Sequence, residues 1–114
     1  MTSVRDAILA GDLEAFKAAL APDVVWVGAR PAMLCRSRDE VVGILDRSTA
    51  GERTFAPEIV AERDEMLLLD PHPTPPPDML PNLHQILVVR EGRIVEMRDY
   101  PDRESALAAL EPLP

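Results

Sequence analysis

A histidine and an aspartate near the C-terminal end of the chain are the residue types best suited to proton transfer. His84 begins the run HQILVVR, and Asp99 lies near the end of the run RIVEMRDY. A carboxylate beside an imidazole fixes the tautomer of the ring and stabilises the imidazolium, so the second ring nitrogen can move a proton on a bound substrate. Such a pair suits proton abstraction next to a carbonyl group. The alternative is a structural and chemically inert pair, because buried polar groups are generally paired in folded proteins.

The turn between the two runs decides whether these residues meet. Glu91-Gly92 has the composition of a two-residue hairpin turn, and pairing Arg90 with Arg93 across it places His84 opposite Asp99. Side chains alternate along a strand, so this register puts six residues on one face: His84, Ile86, Val88, Val95, Met97 and Asp99. A three-residue turn with a glycine bulge would instead shift one strand by a residue and separate the pair.

The elements that must hold this hairpin follow from the spacing of apolar residues. Helical spacing starts after Ser3 and resumes after Gly11-Asp12, and a third helix is predicted behind an N-cap at Asp39. Extended runs follow one another at 24–27, 54–62, 66–69, 83–90 and 93–100, and Asp102 caps a final helix. This order predicts a single α+β domain over 1–114, in which a cone-shaped, curved antiparallel sheet packs on three to four helices.

Three segments carry a resemblance to a known superfamily: AGDLEAFKAALAPDVVWVG, CRSRDEVVGIL and HQILVVREGRIVEMRDYPDRESALAAL. On these segments nearly the whole chain resembles the nuclear transport factor 2-like superfamily, and specifically its small bacterial SnoaL-like proteins. That superfamily includes polyketide cyclases, ketosteroid isomerase, limonene epoxide hydrolase and members without chemistry, so the resemblance selects no reaction. For SnoaL-type ring closure it implies an acid/base group, an apolar cavity and no metal or organic cofactor.

The resemblance also bears on individual residues. The MRDY segment is similar to the last strand of limonene epoxide hydrolase, whose aspartate there is a catalytic acid/base group, and the matching position is Asp99. That enzyme also uses an Arg-x-Asp motif, which the comparable run MLLLD at 66–70 lacks. Ketosteroid isomerase places a tyrosine with its carboxylic acids, whereas Tyr100 falls on the opposite predicted face. Neither of these two reactions is therefore expected.

Charge and hydropathy exclude several classes of partner. The 114 residues include 20 acidic and 12 basic ones, and the formal charge of -8 disfavours nucleic acid and anionic membrane surfaces. The longest apolar run, Ala106 to Leu110, is far too short to span a bilayer, and the N-terminus is too acidic for a signal peptide. We therefore expect a cytoplasmic protein. Eleven of the twelve basic residues are Arg, which is typical of GC-rich bacterial coding.

A pocket for a small hydrophobic molecule is the predicted ligand site. Its walls combine the apolar residues of the predicted inner face, Ile86, Val88, Val95 and Met97, with Phe16 and Trp26. Trp26 has an alternative role as an ordinary core residue.

The other residues that could do chemistry are weaker candidates. Cys35 lies near Arg36 and Arg38 but has no dedicated base, and a single cysteine forms no internal disulfide. Arg30 and the same two arginines either recognise a carboxylate at the cavity mouth or are solvated charges beside a helix. His72 could join His84 and Asp99 in a metal site, but the spacing gives no support, and no metal is expected.

Two further predictions concern surfaces. The face carrying Leu87, Val89 and Ile94, with Glu96 and Arg98 at the rim, is predicted to form a homodimer, because it would otherwise be an exposed apolar patch. The proline-rich stretch from Pro71 to Pro81 is predicted to be a mobile lip at the cavity mouth.

Two functions remain open at this point. The first is a cofactor-independent isomerase, cyclase or hydratase-like enzyme in which Asp99 and His84 are the acid/base pair. The second is a non-catalytic ligand-binding or protein-interaction module. A polar-ended cavity holding the two side chains in contact favours the first, and a cavity filled by Trp26, Phe16 and Met97 favours the second.

Overall fold

A computed structural model of the protein describes residues 3–28, 34–48, 57–63, 65–70 and 84–110. Four helices and six strands lie in these ranges: α1 (Val4–Ala10), α2 (Leu13–Ala18), β1 (Leu20–Val27), β2 (Leu34–Cys35), α3 (Arg38–Ser48), β3 (Glu58–Arg63), β4 (Met66–Asp70), β5 (His84–Arg90), β6 (Arg93–Tyr100) and α4 (Arg103–Leu110). The predicted α+β class is confirmed.

All six strands form one sheet in the order β2-β1-β6-β5-β4-β3. Neighbouring strands are antiparallel except β1 and β6, which run parallel. The strand that follows the helical N-terminal segment therefore lies beside the last strand of the chain, and this pairing brings Trp26 next to Met97.

Polar caps start the helices where the sequence predicts them, with one exception. Ser3 Oγ accepts a hydrogen bond from the Asp6 N–H at 3.1 Å, and Asp12 Oδ1 accepts one from the Ala15 N–H at 3.1 Å. For α3 the predicted N-cap at Asp39 is wrong, because Ser37 Oγ accepts from the Glu40 N–H at 3.3 Å. A serine hydroxyl two residues earlier accepts a hydrogen bond from a backbone N–H group that has no partner within the first turn of the helix.

Strand β1 is longer than predicted at its N-terminal end. It begins at Leu20, before Pro22, and the Ile94 N–H donates to the Ala19 carbonyl at 2.9 Å. Its pairing with β6 is interrupted between Leu20 and Val25, so the proline lies where no ladder bond is needed. The short strand β2 was not predicted; it lies between β1 and α3 in the chain and pairs with the end of β1.

The two faces of the sheet are covered by different helices. We call the face that packs with α1, α2 and α3 the inner face. The core between this face and the helices, which we call the inner core, includes Val24, Leu87 and Met97 from the strands and Phe16 and Val41 from the helices, all of them fully buried. The outer face is partly covered by α4, whose Ala106 and Leu110 pack with Leu68 and Ile86. The ion pair of Lys17 with Asp46, at 2.9 Å, joins α2 to α3.

The proline-rich stretch from Pro71 to Pro81, together with Arg30 and His72, lies outside the described residues. Its prediction as a mobile lip therefore stays a prediction. No described helix is long and apolar enough to cross a membrane.

Candidate functional site

A β-bulge in β6 sets the geometry of the site. The turn is as predicted, since Arg90 pairs with Arg93 and the next pair is Val89 with Ile94. Val88 then pairs with Glu96 rather than with Val95, so Val95 is an extra residue on β6. Beyond this bulge the pairing between β5 and β6 is shifted by one residue from the predicted register.

The shift separates His84 from Asp99. His84 lies opposite Tyr100, and Asp99 lies opposite Gln85. Side chains alternate between the two faces of a sheet. A one-residue shift between β5 and β6 therefore places residues that were predicted to be in contact on opposite faces. The predicted contact between His84 and Asp99 is therefore wrong.

His84 belongs to the outer face, under α4. Its side chain is buried, and Arg103 Nε donates to His84 Nε2 at a long 3.5 Å. Asp102, which caps α4 by accepting the Ser105 N–H at 2.7 Å, is also close enough to interact with His84 electrostatically. His84 thus packs at the start of a helix and does not share a face with the proposed acid/base group.

Asp99 lies on the inner face between two buried donors. Trp26 Nε1 on β1 donates to Asp99 Oδ1 at 2.9 Å, and Gln85 Nε2 on β5 donates to the same oxygen at 2.8 Å. Asp99 itself is half-buried, whereas Trp26 is 7% and Gln85 6% exposed. Three neighbouring strands, β1, β6 and β5, therefore each contribute one polar side chain to a cluster that we call the Asp99 cluster.

The residues predicted to line a pocket are divided between the two faces. Met97, Trp26 and Phe16 are in the inner core, as expected for side chains that face the helices. Ile86 is wrongly placed by the prediction, because it packs on the outer face under α4. The prediction for Val88 is also wrong, because this residue lies on the outer face and lines a groove there. Val95, at the bulge, lines that groove as well and only partly packs against the inner core.

The outer groove has a volume of about 450 Å³ and lies on the part of the sheet beside the bulge. Its lining combines valines with charged residues of both signs: Asp23, Val25, Val88, Arg90, Val95 and Glu96.

The prediction of which face forms a dimer is also wrong. Leu87 and Ile94 are fully buried in the inner core, with exposures of 0%, and Val89 packs partly against it. These residues are covered by the protein's own helices and are not available to a partner. Glu96 and Arg98 do lie on the outer face, where Glu96 Oε1 accepts a bond from Arg98 Nη2 at 3.3 Å and raises the pKa of the Arg98 guanidinium.

Cys35 and a metal site are the remaining candidates that the described residues bear on. Cys35 is buried in the inner core, where its strand pairs with β1 at Trp26. Among the residues that the structure describes, no group of three His, Cys, Asp or Glu side chains is arranged to hold a metal ion.

Gln85 is the functional candidate that the sequence analysis missed. The predicted register assigned it to the opposite face from Asp99, and an amide carries no catalytic signature of its own. One signal was present: Gln85 is a polar residue directly before the apolar run Ile86-Leu87-Val88-Val89, and buried amides need hydrogen-bond partners.

Comparison with solved structures identifies the fold. An NTF2-like protein of unknown function from Cytophaga hutchinsonii superposes with a TM-score of 0.57 at 12% identity, covering 94% of this chain and 96% of that one. A protein predicted to be a SnoaL-like polyketide cyclase from Mesorhizobium loti gives 0.57 at 15% identity, covering 84% and 91% of the two chains. A hypothetical protein with a ketosteroid isomerase-like fold from Catenulispora acidiphila, in complex with trimethylamine, gives 0.58 at 19% identity, covering 96% and 89%.

The sequence itself matches no protein-family model and no curated protein. The similarity is thus one of backbone architecture over most of the chain. At these identities it establishes the fold and leaves the function to the side chains.

Proposed function

Because the chain has the nuclear transport factor 2-like fold, we propose that it binds a small hydrophobic molecule at the inner face of the sheet and uses Asp99 to take a proton from it. The observation that carries this proposal is the Asp99 cluster. A half-buried carboxylate accepts two hydrogen bonds from buried donors, at 2.9 Å and 2.8 Å, beside an apolar core. The similarity to a SnoaL-like protein and to a trimethylamine complex supports a small-molecule ligand.

The two donors favour the base form of Asp99. N–H groups bind an ionised carboxylate more strongly than a neutral acid, so Trp26 and Gln85 stabilise the state that can accept a proton. A ligand with a C–H next to a carbonyl would lose that proton to Asp99 and form an enolate. Return of the proton to another atom of the same ligand would complete an isomerisation. Attack of the enolate carbon on an internal carbonyl would close a ring, and the alkoxide formed there would take the proton back from Asp99.

His84 has no part in this mechanism. It lies on the outer face, on the opposite side of the sheet from Asp99. The proposed reaction class is therefore that of an isomerase, cyclase or hydratase-like enzyme in which Asp99 takes the proton and His84 does not relay it.

A non-catalytic binding module is the second candidate, and one observation favours it. Phe16 and Met97, two of the predicted pocket walls, are 1% and 0% exposed and belong to the packed core. Side chains that fill the inner space in this way leave less of it to a ligand.

An exchange experiment separates the two functions. The protein would be incubated in D₂O with a panel of small hydrophobic ketones, binding would be followed by Trp26 fluorescence, and exchange of the C–H next to the carbonyl would be followed by proton NMR. We expect Asp99→Asn to lower the exchange rate by about a hundredfold or more, the usual contribution of a positioned acid/base group.

The matched control is Asp23→Asn, which makes the same chemical change on the exposed outer face and should leave the exchange rate unchanged. Binding without accelerated exchange would overturn the catalytic function and favour the binding module. Neither binding nor exchange of any ketone in the panel would contradict the assignment of this ligand class.

We also infer that two copies of the chain pair through the part of the outer face that α4 leaves uncovered. Val25 and Val88 lie there on either side of Glu96. The surface also carries three further charged residues, one acidic and two basic: Asp23, Arg90 and Arg98. This balance matters in a chain of formal charge -8, because a two-fold axis can then bring unlike charges together. A cytoplasmic location stays a prediction.

A further inference from the structure

We propose that Gln85 is a positioning residue that fixes the orientation of the Asp99 carboxylate from strand β5. This inference rests on the proposed function of Asp99 as a base and adds to it the residue that holds the base in place. It starts from the burial of Gln85. Its side chain is 6% exposed, and an amide in such a position is destabilising unless its polar atoms are hydrogen-bonded.

The position of Gln85 in the sheet gives it access to Asp99. It lies directly opposite Asp99 in the shifted register, and its Nε2 reaches Asp99 Oδ1 at 2.8 Å. Trp26 reaches the same oxygen from the strand on the other side of β6. The carboxylate is therefore held from both flanking strands at one oxygen, which restricts rotation of the group.

Both donors occupy the same oxygen. A carboxylate oxygen has two lone-pair sites, and Oδ1 accepts one N–H from Gln85 and one from Trp26. Loss of the Gln85 donor would leave Oδ1 with one of these two bonds and would weaken the stabilisation of the ionised carboxylate.

Gln85→Met tests this role, because methionine has nearly the same length and volume but no N–H donor. The carboxyl carbon of Asp99 would be followed by NMR from low to neutral pH, with Asp99→Asn used to assign its signal. Hydrogen bonds to charged groups are strong enough that losing one should raise the pKa of Asp99 by about one unit or more. Trp26→Phe, which removes the other donor, should raise it in the same direction.

The control is His84→Gln, a change at the neighbouring buried position whose side chain faces the opposite side of the sheet. It should leave the Asp99 titration unchanged, whereas a general disturbance of β5 would move it. An unchanged Asp99 titration in Gln85→Met would overturn the proposal. If Gln85→Met fails to fold, the wild-type protein still provides a test: the Gln85 side-chain amide protons should shift with the Asp99 titration, and amide protons that do not follow it would also overturn the proposal.

The outcome is independent of the ketone exchange experiment. If Gln85→Met raises the pKa of Asp99 but no ketone exchanges, Gln85 positions the carboxylate and the proposed catalysis is wrong. If exchange depends on Asp99 while the titration ignores Gln85, the catalysis stands and the positioning role is wrong.

Discussion

Burial is distributed unevenly around Asp99, and this distribution determines what the residue can do. The donors Trp26 and Gln85 are shielded from water, while the carboxylate between them is only half-buried. Shielded donors hold their hydrogen bonds more strongly than solvated ones, because water competes less for them. Asp99 is thus held by two shielded donors while part of the residue stays exposed, which suits its proposed action on a ligand.

Two apolar residues of β6 that looked equivalent in the sequence should differ in their effect on stability. Met97 is 0% exposed in the inner core, whereas Val95 is the half-buried bulged residue. We expect Met97→Ala to lower the free energy of unfolding by about 2 to 5 kcal/mol, the usual range for a buried methionine. Val95→Ala should lower it by less than about 1.5 kcal/mol, the upper end for removing little buried volume. Urea denaturation measures both, and equal losses would show that the bulge is packed as tightly as the core.

At the scale of the elements, the hairpin turn was predictable and the bulge behind it was not. Glu91 and Gly92 both have positive φ, at 53° and 77°, which is the backbone of the two-residue turn that this composition favours. The run Ile94-Val95 contains no glycine, proline or charge to indicate an extra residue. Strand β5 also lacks clear alternation of apolar and polar residues, because α4 covers its outer side as the other helices cover its inner side.

The part of β6 beyond the bulge shows why half of the site was predictable. The alternation Glu96-Met97-Arg98-Asp99 has charged residues on the outer face and placed Met97 and Asp99 correctly on the inner face. Sequence could not determine the partner of Asp99, because the one-residue bulge in β6 exchanges His84 for Gln85 opposite Asp99 without altering any local pattern.

Helix α4 should respond to acid through its cap. The Ser105 backbone N–H, which donates to Asp102, holds the pKa of that carboxyl below its usual value. A lowered folded-state pKa adds stability that is fully present above the unfolded value, about 4, and is lost as the pH falls through the folded value. Asp102→Asn keeps a capping oxygen but cannot titrate.

The melting temperatures of the wild type and of Asp102→Asn should therefore be similar at pH 7. Below about pH 4 the melting temperature of the wild type should fall more than that of the variant. A difference between the two melting temperatures that stays constant from pH 7 to pH 3 would contradict the role of the Asp102 charge.

At the scale of the whole molecule, the backbone resembles those of proteins with only 12% to 19% sequence identity. Its helices cover one face of the sheet almost completely and the other only in part. That asymmetry leaves an open surface of mixed charge on a strongly acidic chain. We infer that a second copy covers this surface, because a two-fold axis can bring its unlike charges together.

The dimer predicts a specific sensitivity to charge. Val88→Asp places a second carboxylate beside Glu96 in the outer groove, which adds like charge to the surface that would pair in a two-fold dimer. We expect sedimentation velocity at micromolar concentration to show a dimer for the wild type and a monomer for this variant. Leu107→Asp, at an exposed position of α4, is the control and should remain a dimer. A monomeric wild type would refute this assembly.

The central claim is that Asp99 shares the inner face with Trp26 and that His84 does not. Trp26 is the only tryptophan in the chain, so its indole N–H gives a single signal in a ¹⁵N-correlated NMR spectrum. That N–H donates to Asp99 at 2.9 Å. The signal should shift strongly in Asp99→Asn and remain in place in His84→Asn, while an indole signal that ignores Asp99→Asn, or that moves as much in His84→Asn, would contradict the account.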